Sequence, residues 1–152
     1  MILSPVILDT NVIISALVFD GKPGQALRLL RYKEYSAVIS PPLLAELIDV
    51  LRKKFYYPPE KLHLTEKKIT TLCSTVYPKE HIDLLDDIAD NRLLEAAIEG
   101  KCHYIVTGDK ELLRLNHFRN IQIVTTHQFL QIIENETPRA KARGIYADAS
   151  RA

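Results

Sequence analysis

Short, largely apolar runs and longer stretches of helical spacing take turns along this chain, and their alternation predicts its architecture. The runs lie at residues 6–8, 37–39, 104–106 and 121–124, each bounded by polar or turn-forming residues. Continuous apolar runs of that length suit strands covered on both faces of a sheet. A weaker run, Ile82-Asp83-Leu84-Leu85, predicts a further strand, third in chain order. Between the runs, residues 12–18 begin a helix that Asp20-Gly21-Lys22-Pro23-Gly24 breaks. Helical spacing resumes at Ala26, Leu27, Leu29 and Leu30. Ser40-Pro41-Pro42 is a helix start, a capping serine with proline in the first turn. The helix it opens carries Leu43, Leu44, Leu47, Ile48 and Leu51 on one face and stops at Tyr56-Tyr57-Pro58-Pro59. Residues 62–76 read as helix up to Pro78, with Ile69, Leu72, Cys73 and Val76 in phase. Leu93, Leu94, Ala97 and Ile98 mark another, ended by Gly100. Short helices at 110–115 and 126–133 complete the series. Strands alternating with helices predict an α/β fold with a central parallel sheet between helical layers.

Composition sets the bounds. The 152 residues are 47% hydrophobic without low-complexity segments, which suits one globular domain with a proper core. No apolar run is long enough to span a membrane, and Met1-Ile2-Leu3-Ser4-Pro5 lacks the features of a signal peptide. Cys73 and Cys102 have no ligand spacing and suit reduced thiols, so the cytoplasm is the expected location, with no membrane contact. The net charge of +1 hides an asymmetry: Arg139, Lys141, Arg143 and Arg151 oppose only Asp148 near the C-terminus. The expected division is a domain over residues 1–136 and a basic, flexible tail over 137–152.

Candidate chemistry sits where the runs end. Val6-Ile7-Leu8 leads into Asp9, Tyr104-Ile105-Val106 leads through Thr107 and Gly108 into Asp109, and the 82–85 run leads to Asp87 and Asp90. In a parallel sheet all strand-to-helix junctions open on one edge, the edge where open α/β sheets bind ligands. Glu46 follows the run at 37–39 by about one helical turn. Singly, each acid has an ordinary structural role: Asp9 and Asp109 as helix caps, Asp90 as a cap or as the third helical residue behind a cap at Asp87, Glu46 as a first-turn residue favoured by the helix dipole. Jointly they form a cluster whose repulsion calls for protons or a cation. Thr10, Asn11, Ser40, Asn91 and Thr107 stand at the same junctions, able to orient carboxylates. Hard oxygen donors without His or Cys at ligand spacing favour Mg²⁺ or Mn²⁺. Gly21 and Gly24 form no phosphate loop, and the five histidines are scattered.

Four ordered segments resemble the motifs of the PIN-domain family: Asp-Thr-Asn-Val at 9–12, Ser-Pro-Pro-Leu-Leu-Ala-Glu-Leu at 40–47, Asp-Ile-Ala-Asp-Asn-Arg-Leu-Leu-Glu-Ala-Ala at 87–97, and Val-Thr-Gly-Asp-Lys-Glu-Leu-Leu at 106–113. The resemblance covers residues 6–133 and is greatest to the toxin components of toxin–antitoxin pairs. It implies a three-layer α/β/α sandwich with strand order 3-2-1-4-5. It also implies an acidic metal-binding and catalytic quartet at Asp9, Glu46, Asp90 and Asp109, with Asp87 as a fifth acid. Asn11 and Thr107 match polar positions beside the metal. One departure is Ala89, where an acid often precedes the Asp-Asn pair.

The function so implied is a Mg²⁺- or Mn²⁺-dependent endoribonuclease acting on RNA, partnered by an antitoxin and commonly homodimeric. Leu17, Val18 and Phe19 are candidates for a dimer interface, and Lys53, Arg92 and Lys110 for RNA contacts. Other classes remain open: a PIN-like module that binds RNA or protein without cleaving, and a metal-dependent phosphohydrolase. The latter wants a second Asp two residues after the first, where Asn11 stands. A response-regulator receiver wants an acidic pair after the first strand, where Asp9 is alone.

Overall fold

The structure, a computed structural model, describes residues 5–136. The expected tail at 137–152, and the first four residues of the expected domain, lie outside them. Chain order is β1 (Val6–Leu8), α1 (Thr10–Val18), α2 (Gly21–Arg31), β2 (Ala37–Ile39), α3 (Pro41–Phe55) and α4 (Pro59–Leu72). It continues with β3 (Cys73–Thr75), α5 (Ile88–Glu99), β4 (Tyr104–Val106), α6 (Lys110–Leu115), β5 (His117–Phe118), β6 (Ile121–Val124) and α7 (Thr126–Glu136).

The sheet has the order β3-β2-β1-β4-β6-β5. Its pairs are parallel except for the β5–β6 hairpin at one edge. The expected 3-2-1-4-5 order therefore holds for the parallel strands, with β6 in fifth place. β1 lies at the centre, all three residues buried, which explains its unbroken apolar run. Helices flank the sheet: α5 packs on β1 and β2, α6 on β6, and α1 bridges α2 and α3. Tyr35 and Phe129, both buried, meet edge to face at 4.9 Å between centroids, and the Tyr35 hydroxyl donates to the Ala26 carbonyl at 2.7 Å. Such an aromatic pair contributes about 0.5–1.5 kcal/mol beyond its buried area.

Two expectations need correction. The third strand is Cys73–Thr75, paired with β2, and residues 82–85 form no strand. The in-phase Cys73 and Val76 extended the helical pattern past the true end of α4 at Leu72. Ile82 is buried, yet its N–H and those of Leu84 and Leu85 bond to side chains of α5 rather than to a strand. Glu46, moreover, lies in the second turn of α3, so a first-turn dipole role does not account for it.

Candidate active site

The carboxyl edge of the central strands carries the acids. Leu8 and Val106 are register partners in β1 and β4, so the residues that follow them emerge side by side. Asp9 caps α1, its Oδ1 accepting the Asn11 N–H at 3.3 Å, with the Thr10 hydroxyl 3.5 Å away. Its Oδ2 accepts a short bond from the Thr107 hydroxyl at 2.7 Å. That same hydroxyl oxygen accepts the Asp109 N–H at 3.0 Å. Thr107, fully buried, thus ties the end of β1 to the start of α6. Asp109 caps α6 through the Glu111 N–H at 3.0 Å.

Asp90 is the third residue of α5, behind the cap at Asp87, whose Oδ1 accepts the Ala89 N–H at 2.8 Å. Asp90 is only 7% exposed, and its Oδ2 is buried with no hydrogen-bond partner. Burial, then the close approach of the Asp109 carboxyl, then the charges of Asp109, Asp87 and Asp9 push its carboxyl up to about 8. Burial also raises Asp9; bonds from Thr107, Asn11 and Thr10 pull the other way, and the Asp109 charge adds to the rise. Glu46, half-buried, is raised by burial and by the charges of Asp9 and Asp87, partly offset by the Thr10 hydroxyl. All four acids of the expected quartet, with Asp87, therefore lie in one mutually interacting group. The bland capping roles also hold for Asp9 and Asp109, and Asp90 lies in a first turn, but none of them explains why Asp90 buries an unpaired oxygen.

Among the described residues no three Asp, Glu, His or Cys side chains already stand in a geometry that holds an ion. The donor set nonetheless fits a hard divalent cation: oxygen ligands only, an orphaned Asp90 Oδ2, and carboxyls driven toward their protonated forms by one another.

The expected basic residues are dispersed. Lys53 pairs with Asp49 at 3.2 Å on the exposed side of α3. Arg92 is held by Glu95 at 2.9 Å and by the Ile82 carbonyl at 3.1 Å, a tie between α5 and the preceding loop. Lys110 is exposed at the first position of α6, next to Asp109. Residue reasoning missed Glu95, which is 7% exposed inside a run of buried α5 residues. The signal was a carboxylate between Leu94 and Ala96 on a stretch that should be apolar.

Among proteins with this kind of sequence and fold, a family model described as PIN domain matches residues 5–111. An uncharacterized protein of Methanocaldococcus jannaschii is 29% identical over 115 residues, spanning 72% of this chain and 74% of that one. The crystal structure of VapBC2 from Rickettsia felis bound to a DNA fragment from their promoter superposes with a TM-score of 0.57 at 18% identity. That match covers 80% of this chain and 98% of the other.

Proposed function

The chain belongs to the PIN-domain family, and on that premise we propose that it is a metal-dependent endoribonuclease hydrolysing RNA phosphodiester bonds, the toxin of a toxin–antitoxin pair. PIN domains are generally nucleases that use divalent ions, and the likeness in fold to VapBC2 supports the toxin assignment and an antitoxin partner. The observation that carries the reading is the Asp90 carboxyl, buried with an unpartnered oxygen among acids that repel it.

Asp9, Glu46, Asp90 and Asp109 are the residues that would hold Mg²⁺ or Mn²⁺, with Asp87 at the margin. Such an ion, when bound, supplies positive charge that compensates the carboxylates and the scissile phosphate. Thr107 and Asn11 hold the Asp9 carboxylate in one orientation. One carboxylate of the quartet would take a proton from the water that attacks phosphorus in line with the departing ribose oxygen. Lys110 is placed to meet a neighbouring phosphate, whereas Arg92 and Lys53 are already engaged within the protein. The protein acts in the cytoplasm on this reading.

The test is cleavage of single-stranded RNA by the wild type and by Asp9→Asn. The wild type should cut with Mg²⁺ or Mn²⁺ and stop in EDTA. Asp9→Asn should lose at least about a hundredfold in rate, the scale of a lost electrostatic catalytic group, with its circular dichroism spectrum unchanged. Full activity in the folded variant would exclude the mechanism.

A further inference from the structure

Between β3 and α5 the chain runs back along α5 as a strap without regular secondary structure, residues 76–87. Four of its backbone donors are taken by α5 side chains. The Lys79 N–H bonds Glu99 Oε1 at 3.0 Å, and the Ile82 N–H bonds Glu95 Oε2 at 2.8 Å. The Leu84 and Leu85 N–H groups both bond Asn91 Oδ1, at 3.1 and 2.8 Å. Asn91 Nδ2 returns a bond to the Leu85 carbonyl at 2.8 Å. Residues 91, 95 and 99 are spaced by four, so the three rungs stand on one face of α5. Strap and helix run antiparallel, and the strap ends at Asp87, the cap of α5.

Asn91 and Glu95 are 2% and 7% exposed. Buried polar groups cost free energy unless they are fully bonded, and these find their partners only in one register of strap against helix. Simple apolar packing would tolerate sliding; a carboxamide that satisfies two N–H groups and one carbonyl does not. Asn91 adjoins Asp90, and Leu85 lies two residues before Asp87. One side chain therefore ties the strap to the first turn of α5, which carries Asp90 and is capped by Asp87.

We propose that Asn91, backed by Glu95, is a positioning residue for the acidic site: by locking the strap onto α5 it holds the first turn of that helix, with Asp87 and Asp90, in the place a divalent cation requires. The proposal rests on the reading of these acids as a cation-binding nuclease centre. The experiment is a calorimetric titration of the full chain with Mn²⁺ alone, together with amide hydrogen exchange at Leu84 and Leu85. Asn91→Ala should weaken Mn²⁺ binding about ten- to a hundredfold, the range for residues that orient metal ligands. Exchange should accelerate at Leu84 and Leu85 but not in the sheet. Leu130→Ala, a cavity in α7 remote from the strap, serves as a control for lost stability and should leave Mn²⁺ affinity unchanged. Equal Mn²⁺ affinity in Asn91→Ala and wild type, or an equal loss in Leu130→Ala, overturns the positioning role and leaves the nuclease reading standing. A wild type that binds no Mn²⁺ overturns the cation-binding reading and this proposal with it. Should Asn91→Ala fail to fold, Asn91→Ser, whose single hydroxyl cannot serve all three partners, is read in the same way.

Discussion

One hydroxyl, that of Thr107, makes two bonds whose directions are forced on it. It has a single proton, which goes to Asp9, so it can only accept from the Asp109 N–H. The Asp9 carboxylate and the backbone of Asp109 are thereby held by one uncharged group. Asp90 has no such help, and its proton carries a measurable consequence. Its folded-state value of about 8 stands above its ordinary 3.8, so the folded protein retains a proton that the unfolded chain has released. The stabilisation is fully present below about pH 4 and is lost as pH rises toward 8. Raised Asp9 and Glu46 act with the same sign. The metal-free protein should therefore melt higher at pH 5 than at pH 8. Asp90→Asn should raise the melting temperature at pH 8 by about 2–4 °C or more, the shift expected for ~1 kcal/mol in a domain of this size, with less effect at pH 5. Equal melting shifts at both pH values would contradict this. Asp9 and Asp109 were legible because apolar runs stop where β1 and β4 end, whereas Asp90 was approached through a run at 82–85 that forms no strand, and Glu46 through the family resemblance and its spacing from the run at 37–39. The engagement of Arg92 was not legible, because its partners Glu95 and the Ile82 carbonyl come together only through the strap.

Elements were legible in proportion to how much of their pattern is their own. α6 matches its expected bounds, since an Asp cap and a short apolar stripe suffice to define it. β3 was hidden because an edge strand with one buried residue and two exposed has little period of its own, and the helix before it supplied a misleading one. The β5–β6 hairpin escaped notice because its turn uses Arg119, at a φ of 53°, where glycine is the usual signal. The end of α3 shows the same substitution. Tyr56 takes the left-handed position, with φ 56° and ψ 34°, while its side chain is 83% exposed. A left-handed residue with a Cβ costs roughly 1–2 kcal/mol, and an exposed ring recovers little of it. Tyr56→Gly is expected to stabilise the protein by about 1 kcal/mol, less the entropy that glycine adds to the unfolded chain. Urea denaturation at unchanged m-value is the measurement; a destabilised variant would mean that the Tyr56 ring has a packing role.

At the scale of the whole molecule, the parallel sheet and its central order followed from alternation and family resemblance, whereas assembly was implied by the resemblance alone. Phe19 is 72% exposed and packs edge-on against Phe55, with Leu17 and Val18 half-buried beside it. A homodimer using this apolar corner is expected by light scattering at roughly tens of micromolar protein, a range that detects weak association, and Phe19→Glu should dissociate it. A monomeric wild type would contradict the homodimer that the family resemblance implies. The central place of β1 has a further bearing on when the protein becomes active. Asp9 is made well before its hydroxyl partner Thr107, which lies 98 positions later and arrives with β4. At about 5–20 residues per second, a growing chain therefore passes several seconds with β1 paired on one side only and half its acids unmade. A ribosome-stalled chain ending at residue 103 should cut no RNA, and activity in it would show that the acids preceding residue 103 suffice. If the chain is the ribonuclease proposed here, delayed closure of the sheet shields the message and the ribosome that are producing it until Thr107 and Asp109 have been made.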